Sequence, residues 1–358
     1  MVSMQGGGGS KDTWVLAGPD APGRTATVSR DLRSRGRGSN TVPSRAADNL
    51  FWLGRYAERL EHTVRLLRGI ISRLADESTR ERLGELQSLP LMLAVLDLPL
   101  PESADGSSAA AIEKHVLALL YGEAVPGSVR ELLGNIHLIA SKVRDRFSGD
   151  TWRVLGRMER DARTGPGRLP LTNAISLIHR LVLDLAAFSG LEMENMTRGH
   201  GWRMLDLGRR IERAGCLAGF LGAGLQAGGD PGSAFEMVLE LADSTMTYRR
   251  LYYSEIRPLE VLELLLRDDS NPRSVAFQVG LIATHLASLP GEADPTGRAW
   301  HEPLAQRVAQ LRQLDLAALL TAESAPAAGL LTDLQQQLST VSDELTHRYF
   351  SHTVARLS

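Results

Sequence analysis

One stretch of this chain occurs twice, and a chain that repeats it in this form has few ways to fold. Leu50 to Ile71 reads LFWLGRYAERLEHTVRLLRGII, and Met204 to Leu225 reads MLDLGRRIERAGCLAGFLGAGL. Both contain Leu-Gly-Arg-x-x-Glu-Arg, as Leu53, Gly54, Arg55, Glu58, Arg59 and as Leu207, Gly208, Arg209, Glu212, Arg213. The apolar register agrees too. Leu50, Leu53, Ala57, Leu60, Val64, Leu67 and Ile71 step by three and four, as do Met204, Leu207, Ile211, Ala214, Ala218, Leu221 and Leu225. Such steps are the seam of a core-facing helix. Two related helices facing one another, with both Arg–Glu clusters brought together, is the arrangement this repeat predicts.

The polar residues of the repeat need their own account. On a helix Arg55, Glu58, Arg59 and His62 fall on one stripe, roughly opposite the apolar seam. A solvated face laced with local ion pairs would explain them, but Arg at i and i+4 repel, and Arg preceding Glu is the poorer orientation. Phe51, Trp52 and Tyr56 also lie off the seam, so the helix is apolar over much of its circumference. A Glu between two Arg on such a helix calls for partners on another helix, or for an anion. A structural network and a ligand site are both open at this point.

The chain of 358 residues is long enough for one large or two ordinary domains. With 40 basic and 42 acidic residues its net charge is −2, which gives no electrostatic signal for nucleic acid or an anionic membrane. The single cysteine, Cys216, excludes an internal disulfide and a cysteine-rich metal site. No apolar run reads as a membrane span and no signal pattern opens the chain, so a cytoplasmic protein is expected.

Residues 1–43 differ from the rest. Gly6 to Ser10 is Gly-rich and Pro19 to Ser39 is rich in Pro, Gly, Ser and Arg, which reads as a tail of low order. Gly9-Ser10-Lys11 lacks the spacing of a phosphate loop. From Pro43 on the pattern is helical. The predicted helices are Ser44–Ala75, Arg80–Leu96, Ala109–Tyr121, Ser128–Phe147, Thr151–Asp161, Leu171–Met196, the second repeat helix, Pro231–Tyr253, Pro272–Leu289, His301–Leu320 and Leu330–Ala355. Pro and Gly fall where caps and turns belong, and nothing alternates with period two. The fold class is all-α, a multi-helix antiparallel bundle with an internal pseudo-repeat over 44–358.

Further residues carry chemical potential. Arg144, Arg146 and Arg153 cluster at a helix break around Ser148, where free N–H groups favour anions, with Asp150 as an alternative cap. Asp206 can pair with Arg209 or Arg210 within a turn. Asp243, Arg249 and Arg250 share a helix with Tyr248, whose hydroxyl calls for a partner. Nine histidines form no ligand set of the HExxH kind, so no metal is expected. No nucleophile motif stands out.

Ser44 to Arg59, SRAADNLFWLGRYAER, resembles the opening signature of the bacterial alpha-E domain, an all-helical family with a Glu-Arg motif. The Arg144 to Arg153, Met196 to Arg213 and Asp243 to Arg250 segments resemble its later blocks, so the likeness covers about residues 43–358. Val2 to Leu16 resembles the extreme C-terminal end of a circularly permuted ATP-grasp domain, with Gly6 where that pattern has Arg. The body of that domain is missing from the sequence, so no bound ATP or other cofactor is expected.

The resemblance implies a function. Alpha-E domains accompany circularly permuted ATP-grasp proteins thought to be amidoligases, which activate a carboxylate as an acyl phosphate for attack by an amine. Transglutaminase-like peptidases are further neighbours. This chain is then an accessory domain in ATP-dependent amide or peptide bond formation or peptide tagging, presenting a peptide or amine substrate. On this basis Glu58 and Glu212 are the candidate catalytic residues. Arg55, Arg59, Arg209, Arg213, Arg144, Arg146, Asp243 and Arg249 are the candidate substrate-binding residues, since Arg grips carboxylate or phosphate in a bidentate manner. Two alternatives stand beside it: an independent enzyme with a buried Glu as base, and a structural scaffold or interaction module.

Overall fold

The computed structural model describes residues 44–75, 88–100, 109–123, 125–165, 167, 170–227, 231–252, 255–289, 302–320 and 325–350. The expectations for the tail, for residues 80–87 of the second predicted helix and for residues 351–358 lie outside this set. The chain is all-α. Its helices begin with α1 (Ser44–Ala75), α2 (Leu89–Val95), α3 (Ala109–Tyr121), α4 (Val129–Lys142), α5 (Gly149–Ala162), α6 (Pro170–Asn195) and α7 (His200–Gln226). They are followed by α8 (Pro231–Leu241), α9 (Thr245–Tyr252), α10 (Pro258–Leu262), α11 (Val275–Ala287), α12 (Glu302–Arg312), α13 (Leu316–Leu319) and α14 (Ala325–Leu345).

Local chemistry sets most of these boundaries. The hydroxyls of Ser128, Ser148 and Ser274 accept the N–H of Glu131, Thr151 and Phe277, capping α4, α5 and α11. Ser148, rather than Asp150, caps α5; Asp150 pairs with Arg153 instead. The single helix expected over Pro231–Tyr253 is two. Asp243 takes a left-handed conformation (φ 53°), and Ser244 N–H reaches back to the Leu239 carbonyl, closing α8 as a Schellman turn. Asp is one of the few residues that tolerates this conformation, so the break carries no glycine signal. Helix α10, which is not among the predicted helices, runs on as a π-helical turn, Glu263–Arg267.

The two repeat helices form the centre, and they run in the same direction. Gly54 lies against Leu205 and Arg209, Arg59 against Glu212 and His62 against Phe220, so positions rise together along both helices. Neighbours pack antiparallel around this pair. On α7, Asp206 meets His285 and Arg210 meets Gln278 of α11, while Gly215 meets Gln335 and Gly222 meets Leu331 of α14. Against α6, α5 pairs Arg157 with Asp184 and Asp161 with Arg180.

The glycine of each repeat explains how close the central pair comes. A Cβ on Gly54 would lie 2.2 Å from the Leu205 carbonyl oxygen, and one on Gly208 would lie 2.0 Å from that of Phe51. The contact is reciprocal, each glycine meeting the residue three before the other. Only Gly permits such backbone contact. The seams on the far sides of both helices are buried, including Leu50, Leu53, Leu60, Val64, Leu67, Leu207, Ile211 and Leu221. Because the helices touch through the Gly-Arg-Glu-Arg side as well, the polar stripe is not a solvated face.

Among the described residues one helix, α6, is long and apolar enough by length and composition to cross a membrane, against the expectation that no run reads as a span. In the bundle it buries Asp184 and Glu192 along with Leu177, Ile178, Leu181, Leu185 and Phe188.

Candidate functional site

The repeated motif builds two reciprocal clamps across the α1–α7 contact. Arg55 Nε and Arg59 Nε donate to the two carboxylate oxygens of Glu212 at 2.7 and 2.6 Å. In return, Arg209 Nε donates to Glu58 Oε1 at 2.9 Å, and Arg213 grips Glu58 with Nε and Nη2 at 2.8 and 2.7 Å. Each Glu is thus held between two Arg of the opposite helix, which overrides the like-charge cost of Arg at i and i+4. Both carboxylates are nearly inaccessible, at 1% for Glu58 and 3% for Glu212. Burial pushes the carboxyls up, but Arg213 and Arg209 outweigh it at Glu58, and Arg55 and Arg59 at Glu212, so both are held below their ordinary values.

The surroundings of the clamps differ. Around Glu212, Arg55 Nη1 donates to Ser342 of α14, Arg59 lies 3.8 Å from the exposed Asp97, and Cys216 lies 4.0 Å away. Burial, with Glu212 adding to it, pushes the Cys216 thiol well above its ordinary value, which leaves it a packing residue. Around Glu58 the network widens. Glu61 is held by Arg65, Arg273 and Arg213 at 3.0, 2.9 and 3.5 Å, and these outweigh burial to keep its carboxyl well down. Asp243 joins through Arg65 at 3.2 Å and Arg273 at 3.7 Å, so this candidate does reach the cluster.

A cleft of about 310 Å³ opens on this side, lined by Arg209, Arg210, Arg213, Glu58, Asp206 and Ser189 among others. Asp206 accepts from Arg210 at 2.7 Å and contacts His285 Nε2 at 2.6 Å. Burial opposes its ionisation, yet the His285 hydrogen bond and Arg210 bring its carboxyl down to about 2. Arg210 also donates to Gln278 at 3.1 Å. Three arginines therefore line one cleft, their guanidiniums fixed by carboxylates, a residue type suited to an oxyanion.

Behind the cleft sits Glu192 of α6, 1% exposed. Its Oε2 accepts from Arg209 Nη1 at 3.1 Å, and among the described residues its Oε1 has no hydrogen-bond partner. Burial pushes this carboxyl up to about 8; Arg209 pulls against the shift, while Asp206 and Glu58 add to it. Glu192, Glu61 and Ser189, whose hydroxyl accepts from Arg209 Nη2 at 2.6 Å, are not among the site residues expected from the sequence. A signal for Glu192 existed: it stands on the apolar seam of α6, one helical step beyond Phe188, where an acid has no reason to be unless it is partnered.

Three outer candidates stay apart. Arg144 stacks over Trp152 at 4.6 Å, Arg146 pairs with Asp145, and Arg249 is exposed on α9. Tyr248 is spent on the turn after α9, its hydroxyl donating to the Glu255 carbonyl and accepting from Arg257 N–H. Among the described residues no group of three or more His, Cys, Asp or Glu is placed to hold a metal.

Comparison with known proteins adds a family. The model of Alpha-E, a predicted alpha-helical domain with a conserved ER motif, matches residues 42–350. The two Glu-Arg pairs of the clamps, Glu58-Arg59 and Glu212-Arg213, lie within that span. An uncharacterized protein of Mycobacterium tuberculosis is 31% identical over 304 residues, covering 79% of this chain and 34% of the relative. One of Mycobacterium bovis matches equally. The chain thus spans about a third of the length of these relatives. No solved structure matches.

Proposed function

Because this chain belongs to the Alpha-E family, we propose that it is an accessory domain to a circularly permuted ATP-grasp amidoligase, and that its cleft receives an anionic group of the peptide substrate. The observation that carries this reading is that Arg209, Arg210 and Arg213 line one cleft, held by Glu58 and Asp206. An amidoligase must hold a carboxylate-bearing chain while one carboxylate is activated, and fixed guanidiniums suit that task. In this reading Glu58 and Glu212 orient arginines and are not bases, since their oxygens are already engaged by Arg and their protons are held off. The ATP-grasp association draws on the likeness of residues 2–16 to the end of such a domain. It is in keeping with relatives that extend far beyond the shared region. A transglutaminase-like peptidase is the further partner proposed.

The test is ATP turnover by the cognate ATP-grasp protein, supplied with candidate peptides and amines, with and without this chain. Increased turnover or a new amide product upholds the accessory role. Unchanged turnover, together with no association of the two proteins, sinks it. A scaffold role is favoured by one observation at the Glu212 clamp alone, where Arg55 ties α1 to Ser342 of α14.

A further inference from the structure

Arg209, like Arg213 with Glu58 and Glu61, serves two acids. Its Nε holds Glu58, its Nη1 holds Glu192 at 3.1 Å and its Nη2 donates to Ser189. Glu58 is gripped by Arg213 as well, so it does not depend on Arg209 alone. Glu192 does: Arg209 is its only ion-pair partner among the described residues, and one of its oxygens has no hydrogen-bond partner there. A buried carboxyl so poorly satisfied is stable when neutral and costly when ionised.

The charges around Glu192 can be followed element by element. From α7 it faces Arg209 and Asp206, and from α1 it faces Glu58. Helix α5 meets α6 at the Arg157–Asp184 and Asp161–Arg180 pairs, two turns or more before Glu192. The cleft arginines already face Glu58, Asp206 and Glu61, the last shared with Arg65 and Arg273; ionising Glu192 adds one further negative charge beside Arg209 and draws it toward the interior.

We infer that Glu192 is a proton-linked switch beneath the cleft: the cleft holds an oxyanion of its ligand, a carboxylate or phosphate, while Glu192 carries a proton, and releases it when Glu192 ionises and claims Arg209. The inference rests on the cleft being a ligand site, as proposed above, and adds the group that regulates it. An incoming anion raises the cost of ionising Glu192, so binding and protonation favour each other. Ligand binding then takes up a proton near pH 8, where the free carboxyl titrates. If the ligand binds only the protonated state, affinity falls about tenfold between pH 7 and pH 9.

The experiment is calorimetric titration of the full chain at pH 7 and pH 9, in buffers of different ionisation enthalpy. The probes are N-acetyl-triglycine with a free carboxylate, its C-terminal amide, and sulfate, none of which titrates in this range. The free acid or sulfate is expected to bind with proton uptake and to weaken about tenfold at pH 9, while the amide does not bind. Preference for the acid points to a peptide terminus, and preference for sulfate to a phosphate. The Glu192→Gln chain, checked for its melting temperature, should bind with no pH dependence. Arg210→Gln should weaken binding at least fivefold at pH 7. Equal binding of acid and amide, no binding at all, or a pH dependence that survives in Glu192→Gln would each overturn the switch. No ATP-grasp protein is in the cell, so failure of the accessory role leaves this result standing. Stimulated turnover with pH-independent binding would remove the switch alone.

Discussion

Glu58 and Glu212 occupy the same place in two copies of one motif, are each clamped by the two motif arginines of the opposite helix and are both buried, yet they sit in different chemistry. The arginines of the Glu212 clamp, Arg55 and Arg59, are 20% and 33% exposed, and the clamp is tied off by Ser342. Those of the Glu58 clamp, Arg209 and Arg213, are 11% and 16% exposed and back onto Glu61, Glu192 and a cleft. A repeat supplies two identical clamps; what surrounds each decides whether it fastens helices or also presents charge to a ligand. The neighbours differ because α11 covers one side of α7 and α14 another.

The likeness of the two halves breaks first at their contact. Gly208→Ala or Gly54→Ala puts a Cβ against a carbonyl oxygen of the other helix, and the two backbones must separate, opening both clamps. The loss should exceed about 5 kcal/mol, the low end of a domain's whole stability, and chemical denaturation should find little folded protein. Gly215→Ala on the same helix meets nothing within 4 Å and should be neutral or stabilising by up to about 1 kcal/mol. Equal effects at Gly208 and Gly215 would refute the close-contact account.

Next come the clamps themselves. Glu58→Gln leaves Arg209 and Arg213 buried beside a neutral group and should cost about 3–5 kcal/mol in urea unfolding. Glu212→Gln should cost roughly 1–2 kcal/mol less, because water reaches Arg55 and Arg59 and screens their loss. Identical costs would mean that the surroundings do not matter.

How much of this the sequence announced follows from what periodicity can see. The repeat, the seams and helices such as Ala109–Tyr121 are local patterns, and the described residues of α1 are helical throughout the stretch its pattern covers. The exchange of Glu58 and Glu212 between helices was also legible, because Arg-x-x-Glu-Arg is poorly paired within one helix. The direction of the central pair was not, since nothing local distinguishes parallel from antiparallel contact. Nor was the end of α8, which depends on Asp243 accepting a left-handed turn. Glu192 was hidden for a different reason. Its place on the apolar seam of α6 announces burial, but its partner, Arg209 of the next helix, is no property of its own neighbours in sequence.

Glu192 sharpens the comparison through pH. Its carboxyl titrates at about 8 folded and near 4.5 unfolded, so between those values the folded state holds a proton that the unfolded chain has lost. Its contribution to stability is therefore complete below about pH 4.5 and is lost as pH rises through about 8, by on the order of 2–4 kcal/mol. Replacing it with Gln removes that slope. Thermal melts from pH 5 to pH 9 should show the variant gaining on the parent as pH rises. Parallel curves would place Glu192 in an ordinary environment.

Asp206 gives the smallest effect and the opposite sign, on the same side of α7. Its carboxyl is at about 2 folded against 3.8 unfolded, because His285 and Arg210 hold the charged form. The contribution of about 2 kcal/mol is present above pH 4 and is lost as pH falls through about 2. In Asp206→Asn that acid-side slope should vanish while the alkaline slope from Glu192 remains, which acid titration followed by circular dichroism would register. Since both acids act on cleft arginines, Asp206 on Arg210 and Glu192 on Arg209, the two slopes together tell whether the cleft is set by one fixed charge and one removable one. If Asp206→Asn also flattened the alkaline side, the two groups would be a single coupled unit, and the proton could not be assigned to Glu192 alone.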